Sequence, residues 1–177
     1  MSENKTEFVV PFDVIELPSK GLLYPSSDGT LKIEYMTAED ENILTSPNLV
    51  QSGKVLDVLL ERKIKDKELK AKDLLVGDRN AIMVFLRSTA YGEMYPVSLT
   101  DPDTGEEFET EVDLSKLPVK QLGVAPNEQG LFTYHLERSK KDIKFRLLTS
   151  RDEENLIKAE EKRKKITKSS SIKVTNF

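Results

Sequence analysis

The fold turns on the stretch Asp78-Arg79-Asn80-Ala81-Ile82-Met83-Val84-Phe85-Leu86-Arg87-Ser88-Thr89-Ala90-Tyr91-Gly92-Glu93-Met94-Tyr95-Pro96-Val97-Ser98-Leu99. Its first half places Ala81, Ile82, Phe85, Leu86 and Ala90 at helical spacing, with Asp78 as the expected cap and Gly92 as the stop. Five consecutive apolar residues, Ile82 to Leu86, mark this helix as the most buried element. From Met94 the period falls to two. Tyr95, Val97 and Leu99 alternate into Asp101-Pro102-Asp103-Thr104-Gly105, and Phe108, Thr110 and Val112 alternate back, which predicts a hairpin over 94–113. A helix that hands over to a hairpin points to an α+β fold.

On the N-terminal side of this stretch, Val55, Leu56, Leu59, Leu60 and Ile64 fall on one helical stripe. They predict a helix over about Gly53 to Ile64, with Asp57, Glu61 and Lys63 pointing outward. Lys65 to Lys72 reads as a charged connector. Leu31, Ile33 and Tyr35 alternate in a strand, and Thr37 follows as an N-cap with Glu39, Asp40 and Glu41 in the first turn. That helix should end near Thr45-Ser46-Pro47. Residues 8–25 read as an edge strand or wrapped arm, because Pro11 and Pro18 interrupt two β-like runs.

On the C-terminal side, Leu114 to Pro118 leaves the first hairpin and residues 121–130 form a loop. Residues 131–148 predict a second hairpin around Arg138 to Asp142. Ser150-Arg151-Asp152-Glu153 matches a capping box and starts a charged helix. The stretch Met36 to Leu44 echoes Leu148 to Leu156, each a strand leading into a capped helix. Local capping chemistry met twice accounts for the echo. The expected architecture is an extended N-terminal arm (1–30), an α+β core (31–155) carrying hairpins 94–113 and 131–148 over helices, and a charged C-terminal helix with a flexible tail (156–177).

Composition narrows the function classes. The 177 residues include 27 Lys plus Arg against 31 Asp plus Glu, a net charge of −4, with no Cys, no Trp and 7% aromatics. A nucleic-acid binder usually carries a clear basic footprint or aromatic stacking platform, and neither is present globally. Without cysteine there are no disulfides, thiolate ligands or Cys nucleophiles. No run approaches the ~20 apolar residues of a membrane span.

Chemistry-bearing motifs are missing too. Phosphate-binding, dinucleotide, zinc-protease and nucleophile-elbow patterns do not occur. His135 is the single histidine and sits in a strand pattern with no nameable nucleophile beside it. Between Asp101 and Asp113 lie seven acidic residues and no Lys or Arg. A calcium loop fails there, because Gly105 arrives at position five and Val112 holds position twelve. No catalytic, cofactor-binding or metal-ligating residue is therefore assigned, and no cofactor or small-molecule substrate is expected.

Two surfaces remain as partner-docking candidates. The first is the arm, with Leu17, Pro18, Ser19, Lys20, Gly21, Leu22, Tyr24 and Pro25; its prolines preorganise it and Tyr24 offers a large contact, while a strap packed on the core is the other reading. The second is the acidic tip, with Asp101, Asp103, Glu106 and Glu107, either merely solvated or facing a basic partner. Residues 156–177 carry seven Lys or Arg and two Glu. They read as a solvated helix with a loose end, or as an arm that orders on a partner.

In order along the chain, Leu17-Pro-Ser-Lys-Gly21 with Tyr24-Pro25, the Thr37 to Leu44 cap and helix, Leu74-Leu75-Val-Gly-Asp78-Arg-Asn80, Leu86-Arg87 to Tyr91-Gly92, and the Val97 to Leu114 hairpin resemble one family. It is that of baseplate hub and hub-assembly proteins of T-even-type contractile-tailed phages, over residues 15 to 160. Relatives carry a C-P-x-C knuckle at the hairpin tip. Here Asp101 and Thr104 stand where the thiolates would be, so metal binding is not carried over. The resemblance also implies a C-terminal extension in relatives past Thr175-Asn176-Phe177.

The function implied is a non-catalytic building block of the baseplate hub, with other hub proteins as partners and a homo-oligomer compatible. Its place would be the virion tail baseplate, or the host cytoplasm during assembly. A transient hub-assembly chaperone is the alternative. A nucleic-acid accessory protein using the basic tail is a third reading.

Overall fold

In the computed structural model, which describes residues 9–24, 28–119 and 124–169 (backbone alone over 165–169), the buried side chains gather around one strand and two helices. Strand β2 (Thr30–Glu34) alternates as its sequence demands, with Leu31 and Ile33 buried and Lys32 exposed. Helix α3 (Val55–Lys63) contributes Leu59 and Leu60, with Ile64 just past its end, and α4 (Val76–Tyr91) contributes Ile82 and Leu86. Ala71, Leu74 and Leu75, in the segment joining the two helices, fill the space between them. The architecture is α+β, as the switch of period near residue 93 predicts.

The N-terminal arm does more than wrap. Strand β1 (Phe12–Glu16) pairs antiparallel with β2, Ile15 opposite Leu31, so the fold has a third hairpin beside the two expected ones. Pro11 and Pro18 flank this strand instead of interrupting it, which leaves its ladder donors intact. The pairing continues at both ends: Tyr35 N–H donates to Pro11 C=O at 3.0 Å, and Leu17 N–H to Gly29 C=O at 2.8 Å.

Thr37 caps α1 (Ala38–Leu44), with the Asp40 carboxylate accepting its backbone N–H at 2.8 Å. Pro47 does not simply end the chain's helical course. It opens α2 (Pro47–Gln51) at the first helical position, where the missing N–H costs nothing.

Two side chains expected to point outward from α3 are drawn in. Lys63 is 1% exposed, because its ammonium meets the fully buried Asp40 and donates to Tyr35 C=O at 2.9 Å. Asp57 is half-buried, and burial together with the nearby Glu154 carboxylate raises its pKa. Arg62 completes the Asp40 pair from the rim, its Nε 2.7 Å from Oδ1.

Helix α4 starts before the expected cap. Leu75 holds the cap position and Asp78 lies inside the first turn. Ile82 and Leu86 are buried while Met83, Val84 and Phe85 are half-exposed. Consecutive residues wind around a helix, so an unbroken apolar run cannot all face one core. Phe85 stacks on Tyr35, ring centroids 6.0 Å apart.

Past Gly92, β3 (Met94–Thr100) and β4 (Glu107–Asp113) form one isolated hairpin; β5 (Phe132–Leu136) and β6 (Lys141–Phe145) form another. Phe132 is buried and stacks on Phe145 at 5.3 Å. Helix α5 (Ser150–Ser169) then runs without a break at residue 156. Its capping residue is Thr149, one place earlier than expected. Thr149 N–H donates to Asp152 Oδ2 at 2.9 Å and Asp152 N–H to Thr149 Oγ1 at 3.3 Å. Ser150 is instead buried, its N–H donating to Leu74 C=O at 2.9 Å. The echo of Met36–Leu44 in Leu148–Leu156 is thus one device used twice, a Thr-x-x-Asp box at Thr37 and again at Thr149.

Candidate functional site

The arm turns at Lys20 and Gly21, both in left-handed backbone conformation (φ 53° and 70°). That reversal aims two polar groups inward. Ser19 N–H donates to Asp78 Oδ1 at 2.9 Å, Ser19 hydroxyl to Oδ2 at 2.6 Å, and Tyr24 hydroxyl to Oδ2 at 2.7 Å. Tyr24 in turn accepts the Leu75 N–H at 2.8 Å. Asp78 is fully buried in the first turn of α4, where the positive end of the helix dipole favours a carboxylate. Burial pushes the Tyr24 phenol upward, Asp78 adds to the rise, and the Leu75 N–H opposes it.

This clasp divides the arm into two faces. Leu17, Ser19, Gly21 and Tyr24 are buried, and Pro18 is half-buried. Lys20, Leu22 and Leu23 face outward, with Leu22 54% exposed. Pro25 lies outside the described residues. Leu23 borders the loop ending at Gly130, where even a Cβ would come within 2.7 Å of its Cδ2. The arm is therefore a strap on the core, and its exposed surface is the outward row.

The β3–β4 hairpin is the second candidate surface, and among the described residues it pairs with no further strand. Its register puts Leu99 opposite Phe108, Val97 opposite Thr110 and Tyr95 opposite Val112 on one side. Leu99 and Phe108 are each 47% exposed, and Tyr95 is 42% exposed. The other side carries Glu107, Glu109 and Glu111, opposed by the uncharged Thr100, Ser98 and Pro96. Arg87 of α4 lies over the rings of Tyr91 (5.0 Å) and Tyr95 (5.2 Å) at the hairpin's base. Met83, Val84 and Leu114 line a shallow apolar depression with Arg87 and Tyr95.

Asp101, Asp103, Glu106 and Glu107 come together at the hairpin's tip, where Asp101 does a structural job that sequence reasoning missed. Its Oδ1 accepts the N–H groups of Asp103 (2.8 Å) and Thr104 (3.0 Å), which hold its carboxyl below the usual range. Gly105, at φ 74°, closes the turn with its N–H on Asp101 C=O at 2.8 Å. The signal was present: Asp followed by Pro and two polar residues before Gly is an Asx-turn pattern. Among the described residues no three His, Cys, Asp or Glu side chains converge to hold a metal.

His135 and Asp142 are a cross-strand pair on β5 and β6, Nδ1 to Oδ1 2.6 Å, both more than half exposed. At α5, Arg146 grips the Asp152 carboxylate with two nitrogens (2.5 and 2.7 Å), and that grip together with Thr149 pulls the Asp152 pKa well down. From Asn155 to Lys164 every side chain of α5 is exposed, Leu156 and Ile157 included. No helix among the described residues is long and apolar enough to cross a membrane.

These surfaces fall within a recognised sequence pattern. A family model described as T4 bacteriophage base plate protein matches residues 14–130. That span takes in the strap, the core helices and the whole β3–β4 hairpin. No curated protein and no solved structure matches the chain.

Proposed function

The chain belongs to the T4 bacteriophage base plate protein family, and from that premise we propose that it is a non-catalytic structural subunit of the baseplate hub. The observation that carries this reading is the extent of the match, which covers the strap and the projecting hairpin as well as the core between them. In this reading the chain contributes surfaces, not chemistry. Helices α3 and α4 hold the base of both surfaces rigid. The apolar side of β3–β4, with Tyr95, Leu99 and Phe108, docks against another hub protein, and Lys20 and Leu22 on the strap extend the contact. Exposed aromatic and aliphatic side chains on a projecting hairpin are suited to this, since such side chains supply most of the energy of docking. The acidic tip at Asp101, Asp103, Glu106 and Glu107 favours partners that present basic groups.

Quantitative mass spectrometry of purified virions tests the reading. A fixed stoichiometry relative to other baseplate proteins is expected. Its absence from virions, with abundance in infected-cell lysate, would replace the subunit with a transient assembly chaperone.

A further inference from the structure

Charge is not spread evenly over this molecule. Residues 101–113 carry seven acids and no Lys or Arg, whereas residues 156–177 carry seven Lys or Arg and two Glu. The two regions leave the body from opposite ends of α4: β3 follows the C-terminal end of α4, while Thr149, just before α5, bridges to Leu75 at its N-terminal end. A 16-residue helix separates those points by about 24 Å. None of the ion pairs among the described residues joins hairpin to helix.

The acidic face carries its charge without compensation across the strands. Glu107, Glu109 and Glu111 repeat along one side of β4 about 6.7 Å apart, with no cation opposite any of them. Lys158 and Lys162 lie one helical turn apart on α5, about 6 Å in rise, which nearly matches the glutamate spacing. The pairs that Lys158 and Lys164 make within α5, to Glu154 and Glu160, are exposed and easily exchanged.

We infer that the acidic face of β3–β4 is a docking site for a second copy of this chain, occupied by the basic stretch of α5 from that copy. The contact is head-to-tail. Each copy offers one acidic and one basic pole, so the association is heterologous and continues into a ring or an open filament. It leaves the apolar side of the hairpin free and does not depend on which other baseplate proteins the chain meets.

The test is the mass of the purified full-length chain by light scattering at ~50 mM and ~500 mM salt, a range over which screening separates exposed charges. Association above the 20.1 kDa monomer is expected at low salt and its loss at high salt. Two charge-reversed variants, E107K/E109K/E111K and K158E/K162E/K164E, should each remain monomeric at low salt. An equimolar mixture of the two should associate again, because each supplies the pole the other has lost. A monomeric wild-type chain at low salt and ~100 µM, or association that neither reversal weakens, would overturn the inference. Circular dichroism of each variant confirms that it is folded before either result is read.

Discussion

Tyr24 hydroxyl donates to Asp78 Oδ2 at 2.7 Å across 54 residues of sequence, and this bond fastens the N-terminal strap to the first turn of α4. With the two bonds from Ser19 it gives a fully buried carboxylate three donors. The strap and the base of the hairpin-bearing helix are thereby one rigid unit.

Removing the Tyr24 hydroxyl leaves the Leu75 N–H without its acceptor. Tyr24→Phe should cost about 1–2 kcal/mol in urea unfolding, the ordinary penalty for a stranded buried donor. Asp78→Ala removes the acceptor of three bonds and should cost more, about 3 kcal/mol. It should also make the strap cleavable by protease near Lys20 before the body unfolds.

Lys63 and Asp40 form a buried pair, and single truncation should be worse than joint replacement. Lys63→Met should cost about 3–5 kcal/mol, while D40L/K63M should recover much of it. The pair also sets an acid limit. Burial raises the Asp40 pKa, but Lys63 and Thr37 outweigh burial and hold it below its ordinary value. A carboxyl depressed in the folded state stabilises above its unfolded pKa near 4 and loses that contribution as pH falls through the folded value. Wild-type stability should therefore drop below about pH 4, and the drop should be shallower in D40L/K63M.

Thr149→Ala should cost about 1 kcal/mol and lower the helical signal of α5, as loss of a cap does. Thermal melts followed by circular dichroism measure both effects. Ser150 matched the same motif on paper, but its hydroxyl reaches only Leu74 C=O (3.3 Å) and Arg79 (3.4 Å). Ser150→Ala should leave the helical content unchanged.

Leu99→Ser with Phe108→Ser breaks a cross-strand pair that is half exposed. Its cost to global stability should stay within about 1 kcal/mol. Differential scanning calorimetry should show almost no change in the main transition.

Much of this was legible in the residues. The stripe of Leu59, Leu60 and Ile64, the alternation of Leu31 and Ile33, and the switch from helix to strand after Gly92 are local patterns, and local patterns survive folding. What was not legible depended on distance. Pairing of β1 with β2 spans a turn whose geometry rests on Lys20 and Gly21, and nothing in Phe12–Glu16 names its partner. Asp78 reads as a helix cap because a buried acceptor and a capping acid have the same sequence signature; only the arrival of Ser19 and Tyr24 separates them. Lys63 looked solvent-facing because a lysine is almost never buried without a partner, and that partner, Asp40, lies 23 residues away. The exposed residue types of the strap could be read from the sequence, but which side of it faces outward is fixed by the clasp.

The most direct test of the account is affinity purification of the tagged chain from infected cells, comparing wild type with the folded L99S/F108S variant. Wild type should recover other baseplate proteins, and the variant should lose them, a weakening of about 2 kcal/mol or more as for central apolar contacts. Equal recovery by both would contradict the assignment of the β3–β4 hairpin as the docking surface.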